Sequence, residues 1–150
     1  MGVNIQKFSL RVVKETGGRY DLNKTMDTPV DAVRILNEIV ELDKRAEELF
    51  VIITLDVRNS ITGLFEVSVG SINSSIVTPR EVFKRAILQN AAFIILAHNH
   101  PSGVVEPSSN DIEITERLIE IGELIGIKVV DHLILGRSDT FLSMKREGII

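Results

Sequence analysis

The sequence predicts an α/β domain in which helices flank both faces of a mixed β-sheet. Two short segments, residues 49–55 and 92–97, are almost wholly apolar, which is typical of strands buried on both faces. Segments with helical spacing of apolar residues alternate with these strands, as in other α/β folds. A short turn after Leu55 joins two strands, and because such a hairpin is antiparallel, we expect a mixed sheet.

The composition fits one domain, without room for a second. The chain has 150 residues, of which 44% are apolar and only 5% aromatic, so we expect a core of Ile, Leu and Val. The sequence shows no repeats, low-complexity segments or linkers. The predicted organisation is an N-terminal arm over residues 1–26, followed by a single domain over residues 27–150.

The first third of the chain predicts an arm and a helix. Residues 8–13 alternate and then run apolar before a Gly17-Gly18 turn, which favours a peripheral strand or hairpin. Thr28-Pro29-Val30-Asp31 combines a capping residue, a proline at the first helical position and an acid at the third. A helix is therefore expected from there to about Arg45, with the apolar strand over residues 49–55 after it.

The rest of the chain predicts three strands and two helices. A strand from Ile61 to Val69 leads into a polar loop over residues 70–77. Thr78-Pro79 repeats the helix-start pattern and begins a helix to about Asn90. The remaining elements are the strand over residues 92–97, a helix capped by Ser108 and ended at about Ile125 by Gly126, a strand from Val129 to Leu135, and a short strand around Phe141.

Composition also excludes several classes of protein. The chain has no cysteine, so it has neither a disulfide framework nor a thiolate metal site. The formal net charge is -4, from 17 basic and 21 acidic side chains, and no basic cluster forms a track for nucleic acid. No apolar run approaches the roughly 20 residues of a membrane span, and residues 1–7 lack a signal-peptide pattern. We therefore expect a soluble cytoplasmic protein that binds neither nucleic acid nor membrane.

The most informative motif is His98-Asn99-His100-Pro101, followed after six further residues by Ser108-Ser109-Asn110-Asp111. Side chains two apart on an extended segment point the same way, so His98 and His100 can direct both imidazoles at one point. Pro101 disfavours a helical conformation at His100 and preserves that geometry. With Asp111 as the third ligand, this set leaves the fourth position of a tetrahedral Zn2+ open for water, which is the pattern of a catalytic zinc site.

Each ligand also has a purely structural interpretation. Ser108-x-x-Asp111 is a helix-capping pattern, and for that pair alone the structural interpretation is favoured. Two imidazoles on one side of a strand end are harder to explain by packing, although a hydrogen-bonded or exposed pair would have the same sequence. Taken together, the four positions favour a metal site.

The spacing His98-x-His100-Pro101, six residues, then Ser108-x-x-Asp111 resembles the JAMM motif of the JAB1/MPN metalloprotease superfamily. Longer strings resemble its bacterial RadC-like branch, over roughly residue 25 to the end of the chain. These strings are Pro79-Arg80-Glu81-Val82-Phe83-Lys84, Ile94-Ile95-Leu96-Ala97-His98-Asn99-His100-Pro101-Ser102-Gly103 and Asp131-His132-Leu133-Ile134-Leu135-Gly136.

The resemblance implies a cytidine deaminase-like mixed sheet and a zinc ion held by His98, His100 and Asp111. It further implies that a glutamate activates the water and that Ser108 stabilises the tetrahedral intermediate. Superfamily members outside this branch hydrolyse isopeptide bonds to ubiquitin or related modifiers, so the expected substrate is a protein or peptide. Asn99 stands where the eukaryotic motif has Ser or Thr, and shared fold does not by itself carry over substrate recognition.

The family pattern sets the catalytic glutamate at the start of the strand after the first helix, one residue before an aromatic. Glu48-Leu49-Phe50 fits this pattern, so Glu48 is the predicted base and Glu47 the reserve. The alternative is that both are solvated acids at a helix-to-strand junction. Glu66, in the next strand, is a weaker candidate because its context does not match.

Two other functions compete with a peptidase. A non-catalytic binding module would keep the fold and work through partners, and the intact ligand set argues against it. A DNA-processing protein is suggested by the historical association of RadC proteins with DNA repair, but the acidic balance and the short arm before Asp27, in place of the helix-hairpin-helix segment of longer RadC proteins, argue against it. A zinc deaminase is excluded because its motif needs a cysteine pair.

Several nearby residues have less specific expectations. His132 or Asp131 could orient a metal ligand, but a satisfied core or surface histidine is the preferred interpretation. Ser102 and Gly103 are expected to shape the loop, and the exposed edge of the central hairpin suggests a homodimer. A polar stretch is expected to line the cleft opposite the metal, namely Asn73, Ser74 and Ser75.

Overall fold

Five strands form one mixed sheet in the computed structural model, which describes residues 1–70 and 77–150. Across the sheet the strand order is β2-β1-β3-β4-β5. Strand β1 is antiparallel to both β2 and β3, β3 is parallel to β4, and β4 is antiparallel to β5. The predicted mixed sheet is therefore confirmed. The strands are β1 (Leu49–Leu55), β2 (Ile61–Val69), β3 (Phe93–Asn99), β4 (Lys128–Leu135) and β5 (Phe141–Ser143).

In the described part of the chain, three α-helices cover the two faces of this sheet, as predicted. Helix α1 (Pro29–Ile35) packs on one face, against a buried cluster that includes Val51 and Ile53 of β1. Helices α2 (Pro79–Leu88) and α3 (Ser109–Ile125) pack on the other, against Phe50 and Ile52. Alternate residues of β1 thus belong to two different cores, as expected for a strand whose side chains point in turn to opposite faces.

The first helix is shorter than the sequence predicts, which corrects the expected end near Arg45. Helix α1 continues as a π-helical turn, Leu36–Val40, and the backbone then turns left-handed at Glu41, with φ 52°, before a 3-10 turn, Leu42–Lys44. In a continuous α-helix, Leu42 would point about 200° away from Val40. The break lets both side chains reach the core, where they are 0% and 5% exposed.

The N-terminal arm forms no strand or hairpin over residues 8–13, so that expectation is wrong. Phe8 and Leu10 are more than four-fifths exposed. Ordering this segment as a strand would cost conformational entropy, and these side chains are not buried enough to compensate for it. The arm joins the fold at Thr25, which forms an isolated antiparallel bridge with Ser60, the residue before β2. No helix in the described part of the chain combines the length and apolar character needed to cross a membrane.

Candidate metal centre

Two histidines and an aspartate meet at the carboxyl end of β3. His98 belongs to the strand and is fully buried, and His100 follows it and is partly buried. Asp111, in the first turn of α3, is 3% exposed. His98 shares the sheet face of Phe50, its cross-strand partner, so the cluster lies on the side covered by α2 and α3.

The donor atoms of these three residues converge on one point. His98 Nε2 lies 3.2 Å from Asp111 Oδ1, His100 Nε2 lies 3.5 Å from Asp111 Oδ2, and the two Nε2 atoms are 2.9 Å apart. Ligand atoms at about 2.0–2.1 Å from one tetrahedral zinc are themselves roughly 3.3 Å apart. Both the donor chemistry and the separations fit a divalent cation, so the group could hold a metal ion.

The ring of His100 is fixed by the loop that follows it. Its Nδ1 lies 2.6 Å from the carbonyl oxygen of Val104, which can only accept, so Nδ1 donates and Nε2 is left to face Asp111. The loop is held by Ser102, whose Oγ accepts from the Val104 amide, and by Arg137, which donates to the Pro101 carbonyl. Ser102 therefore shapes the loop, as expected.

Ser108 and Asp111 form a capping box at the start of α3. The Ser108 amide and hydroxyl both donate to Asp111 Oδ2, each at 2.7 Å, and Ser108 Oγ accepts from the Asp111 amide at 3.2 Å. The structural interpretation of this pair is therefore correct. It does not exclude a ligand role, because Asp111 Oδ1 is directed at His98.

The hydrogen bonds between Asp111 and His100 shift the pKa of each residue towards its charged form. Burial alone would raise the pKa of Asp111, but hydrogen bonds with His100, His98 and Ser108 hold it well below its usual value. The pKa of His100 is raised, chiefly by its hydrogen bond with Asp111 and against the effect of burial. The negative charge of Glu48 also raises it. Asp111 is therefore an ionised carboxylate at neutral pH, as a metal ligand must be.

The strand register brings Glu48 to this face of the sheet. Phe50 is opposite His98 in the antiparallel β1–β3 pair, and continuing that register by two residues sets Glu48 opposite His100. Glu48 is half-buried, whereas Glu47 is exposed and next to it in sequence, so it points to the other side. Glu66 is paired with Arg45 at 3.1 Å, opposite Val51, and does not belong to the cluster.

Asn99 has a role that the sequence did not reveal. It is 2% exposed on the face opposite the metal cluster, where its Oδ1 accepts from the Leu49 amide at 2.8 Å. Its Nδ2 donates to the carbonyls of Glu47 at 3.1 Å and Arg45 at 3.3 Å. One side chain thus clamps the segment that carries Glu48. A polar residue in an otherwise apolar strand, which needs buried partners, is the signal that could have found it.

His132 is a buried and hydrogen-bonded core histidine, as preferred from the sequence, and it also contacts the cluster. Its Nε2 lies 2.8 Å from His98 Nδ1, and its Nδ1 lies 2.5 Å from Thr115 Oγ1. Thr115 stands four residues after Asp111, on the same side of α3, and this helical spacing could have pointed to it. Asp131 points elsewhere and accepts from Ser143 and from the backbone. The expected cleft residues Asn73, Ser74 and Ser75 lie outside the described residues.

Comparison with known proteins identifies the family. The family model of the RadC-like JAB domain matches residues 26–149. The chain belongs to the RadC-like JAB domain family. Relatives in this family include a UPF0758 protein of Caldanaerobacter subterraneus, 42% identical over 98% of this chain and 64% of the relative. Another, from Desulforudis audaxviator, is 47% identical over 83% of this chain and 53% of the relative.

This RadC-like chain spans about half to two thirds of the length of the curated relatives that it matches. The family match covers every residue of the metal cluster, as well as Glu48, Asn99 and His132. It does not include residues 1–25, which contain most of the exposed arm.

Proposed function

We propose that this RadC-like domain is a zinc-dependent peptidase that hydrolyses peptide or isopeptide bonds. The observation that carries the proposal is the convergence of two imidazoles and one carboxylate at the end of β3, with a second carboxylate, Glu48, on the same face. His98, His100 and Asp111 would hold the metal, a ligand set that leaves one position for water. Zinc bound there would lower the pKa of that water towards neutrality and polarise the scissile carbonyl.

Glu48 is the proposed general base. Its carboxylate takes the proton of the attacking water and then delivers it to the nitrogen of the leaving amine. Two features support this role: the register opposite His100 and the clamp by Asn99, which holds the backbone on both sides of Glu48.

Ser108 is the proposed donor to the oxyanion. In the structure its hydroxyl donates to Asp111 Oδ2, and that hydrogen can rotate towards an oxygen that gains charge next to the metal. The Ser108 amide keeps Asp111 Oδ2 bonded when the hydroxyl turns away. The same residue therefore caps α3 and supports the reaction.

The base assignment is tested by comparing Glu48→Gln with Glu47→Gln. Both substitutions remove one negative charge from adjacent positions, but only the first removes the proposed base. In an assay of zinc-loaded protein on peptide and isopeptide substrates, we expect Glu48→Gln to lower kcat about 100-fold to 10,000-fold and to retain zinc. Glu47→Gln should stay near wild type.

Equal activity of the two variants would contradict the role of Glu48. Zinc-loaded wild-type protein that cleaves neither class of bond would contradict the peptidase and favour a binding module of the same fold. Binding to duplex DNA is not expected, because the net charge is -4.

A further inference from the structure

A buried chain of hydrogen bonds connects two of the candidate metal ligands behind the site. It runs from His98 through His132 to Thr115, and from Thr115 to the backbone carbonyl of Asp111. His98, His132 and Thr115 are all 0% exposed. Because no solvent reaches these atoms, each contact needs a hydrogen from within the chain.

The position of the first hydrogen follows from the distances at Thr115. Its Oγ1 lies 2.5 Å from the carbonyl oxygen of Asp111. Two oxygen atoms at that separation repel each other unless a hydrogen lies between them, and the carbonyl has none. The hydroxyl of Thr115 therefore donates to Asp111.

The other hydrogens are then determined in turn. A threonine hydroxyl has a single hydrogen, so at its 2.5 Å contact with His132 Nδ1 the ring must be the donor. A neutral His132 with its hydrogen on Nδ1 has a lone pair on Nε2. That atom lies 2.8 Å from His98 Nδ1, so His98 must donate there. His98 Nε2 is left with a lone pair directed at Asp111 Oδ1.

We propose that Thr115 and His132 are positioning residues that fix His98 in the one tautomer able to bind a metal through Nε2. Neutral imidazole in water prefers its hydrogen on Nε2, so this tautomer requires a partner that accepts from Nδ1. For His100 the partner is the Val104 carbonyl, and for His98 it is His132. The inference rests on the metal-binding part of the proposed function and not on peptide hydrolysis.

The surroundings of the hydrogen-bond chain from His98 through His132 to Thr115, here called the relay, favour neutral rings and pack against them. His132 is fully buried, and burial of this kind disfavours a charged imidazole, so the ring is neutral and does not repel a cation. Phe50 packs parallel to His98, with ring centroids 6.2 Å apart, and edge-on to His132 at 5.5 Å. Phe50 thus packs beside both rings and is itself fully buried.

The first test compares Thr115→Val with Thr115→Ser. Valine keeps the shape of threonine and loses the hydroxyl, whereas serine keeps the hydroxyl and loses the methyl group. We expect Thr115→Val to weaken zinc binding about 10-fold to 100-fold, as other losses of a partner behind a metal ligand do. Thr115→Ser should stay within about threefold of wild type.

Zinc affinity is measured by competition with a chromophoric chelator, on protein whose folding has been checked by circular dichroism. Equal losses of affinity in the two variants would mean that Thr115 acts only by packing and would overturn the proposal. Wild-type affinity in folded Thr115→Val would also overturn it.

The second test needs no variant and no metal. Long-range 1H–15N spectra of the metal-free protein at neutral to mildly alkaline pH report which ring nitrogen of each histidine carries hydrogen. The proposal predicts hydrogen on Nδ1 of both His98 and His132, with Nε2 unprotonated in both. Hydrogen on Nε2 of either neutral ring would contradict the relay. Since neither test uses a substrate, absence of peptidase activity would not affect the result.

Discussion

Ser108 and Thr28 begin two helices with the same hydrogen-bond pattern, but only Ser108 stands beside a candidate metal ligand. In both boxes the amide and hydroxyl of the first residue donate to one carboxylate oxygen three residues later. The hydroxyl oxygen accepts from the backbone in return, at 3.4 Å in the first box and 3.2 Å in the second. The chain thus contains its own control for the capping role of Ser108.

We expect Ser108→Ala and Thr28→Ala each to lower the free energy of unfolding by about 1 kcal/mol, the usual effect of losing a helix cap. Only Ser108→Ala should also lower turnover, about 100-fold to 1,000-fold at unchanged zinc content, because it alone removes an oxyanion donor. Denaturant unfolding and a steady-state assay measure the two effects. A Ser108→Ala enzyme with wild-type turnover per folded molecule would leave capping as the only role of Ser108.

The sequence was most informative at this scale where the functional residues are close along the chain. His98 and His100 are two apart at the end of a strand, so local geometry predicts that their rings point the same way, and Asp111 lies in the first turn of the next helix. His132 is 34 residues from His98 and reaches it because β3 and β4 are parallel neighbours. The register of two strands is a property of the whole sheet, which local patterns do not define.

The junction between β1 and the turn before it depends on Asn99 of β3. This side chain satisfies one amide and two carbonyls of the segment 45–49, which leads into β1. The bond to the Leu49 amide is buried, and leaving such an amide unsatisfied costs about 1–3 kcal/mol, so few other side chains could replace Asn99. The clamp explains how a loop residue such as Glu48 is held next to strand residues.

Replacement of Asn99 by alanine is expected to loosen this junction. Asn99→Ala should lower the free energy of unfolding by at least about 2 kcal/mol and speed hydrogen exchange at the Leu49 amide. Thr54→Val is the matched control, since Thr54 is also a buried polar residue, lies in β1 with Leu49, and donates its hydroxyl to the Gly63 carbonyl of β2. Thr54→Val should destabilise the protein without a selective increase in hydrogen exchange at the Leu49 amide. Similar exchange at Leu49 in both variants would argue against a local clamp.

Helix α1 shows where periodicity fails at the scale of an element. Apolar residues continue at helical spacing beyond Ile35, and the sequence therefore predicts one helix to about Arg45. The end is set instead by burial of Leu42, which requires the left-handed turn at Glu41. By contrast, Gly126 at φ 75° ends α3 as predicted, because its signal is local.

The whole molecule has a core on each face of the sheet, and neither core includes the metal ligands. Each core contains helix residues and β1 residues, with the apolar strands β1 and β3 contributing to both. This division was predictable, because strands that are apolar on both sides need cover on both. The fold should therefore persist without metal, unlike that of a zinc finger.

Removal of the metal with a chelator should lower Tm without unfolding the protein. Zinc at about 100 times its Kd adds about 2.7 kcal/mol to the stability of the native state, which corresponds to a shift in Tm of roughly 5–10 °C for a chain of this size. The far-UV circular dichroism spectrum should be unchanged at 25 °C. Loss of that spectrum on chelation would mean that the metal is required for folding and that the two cores are insufficient.

The central claim is that His98, His100 and Asp111 hold one metal ion. Its most direct test is elemental analysis of the purified protein beside Asp111→Asn and His100→Ala, each checked for folding. The account predicts about one zinc per chain in the wild type and a large loss in both folded variants. No metal in the wild type after zinc is offered at neutral pH, or an undiminished content in both variants, would contradict it.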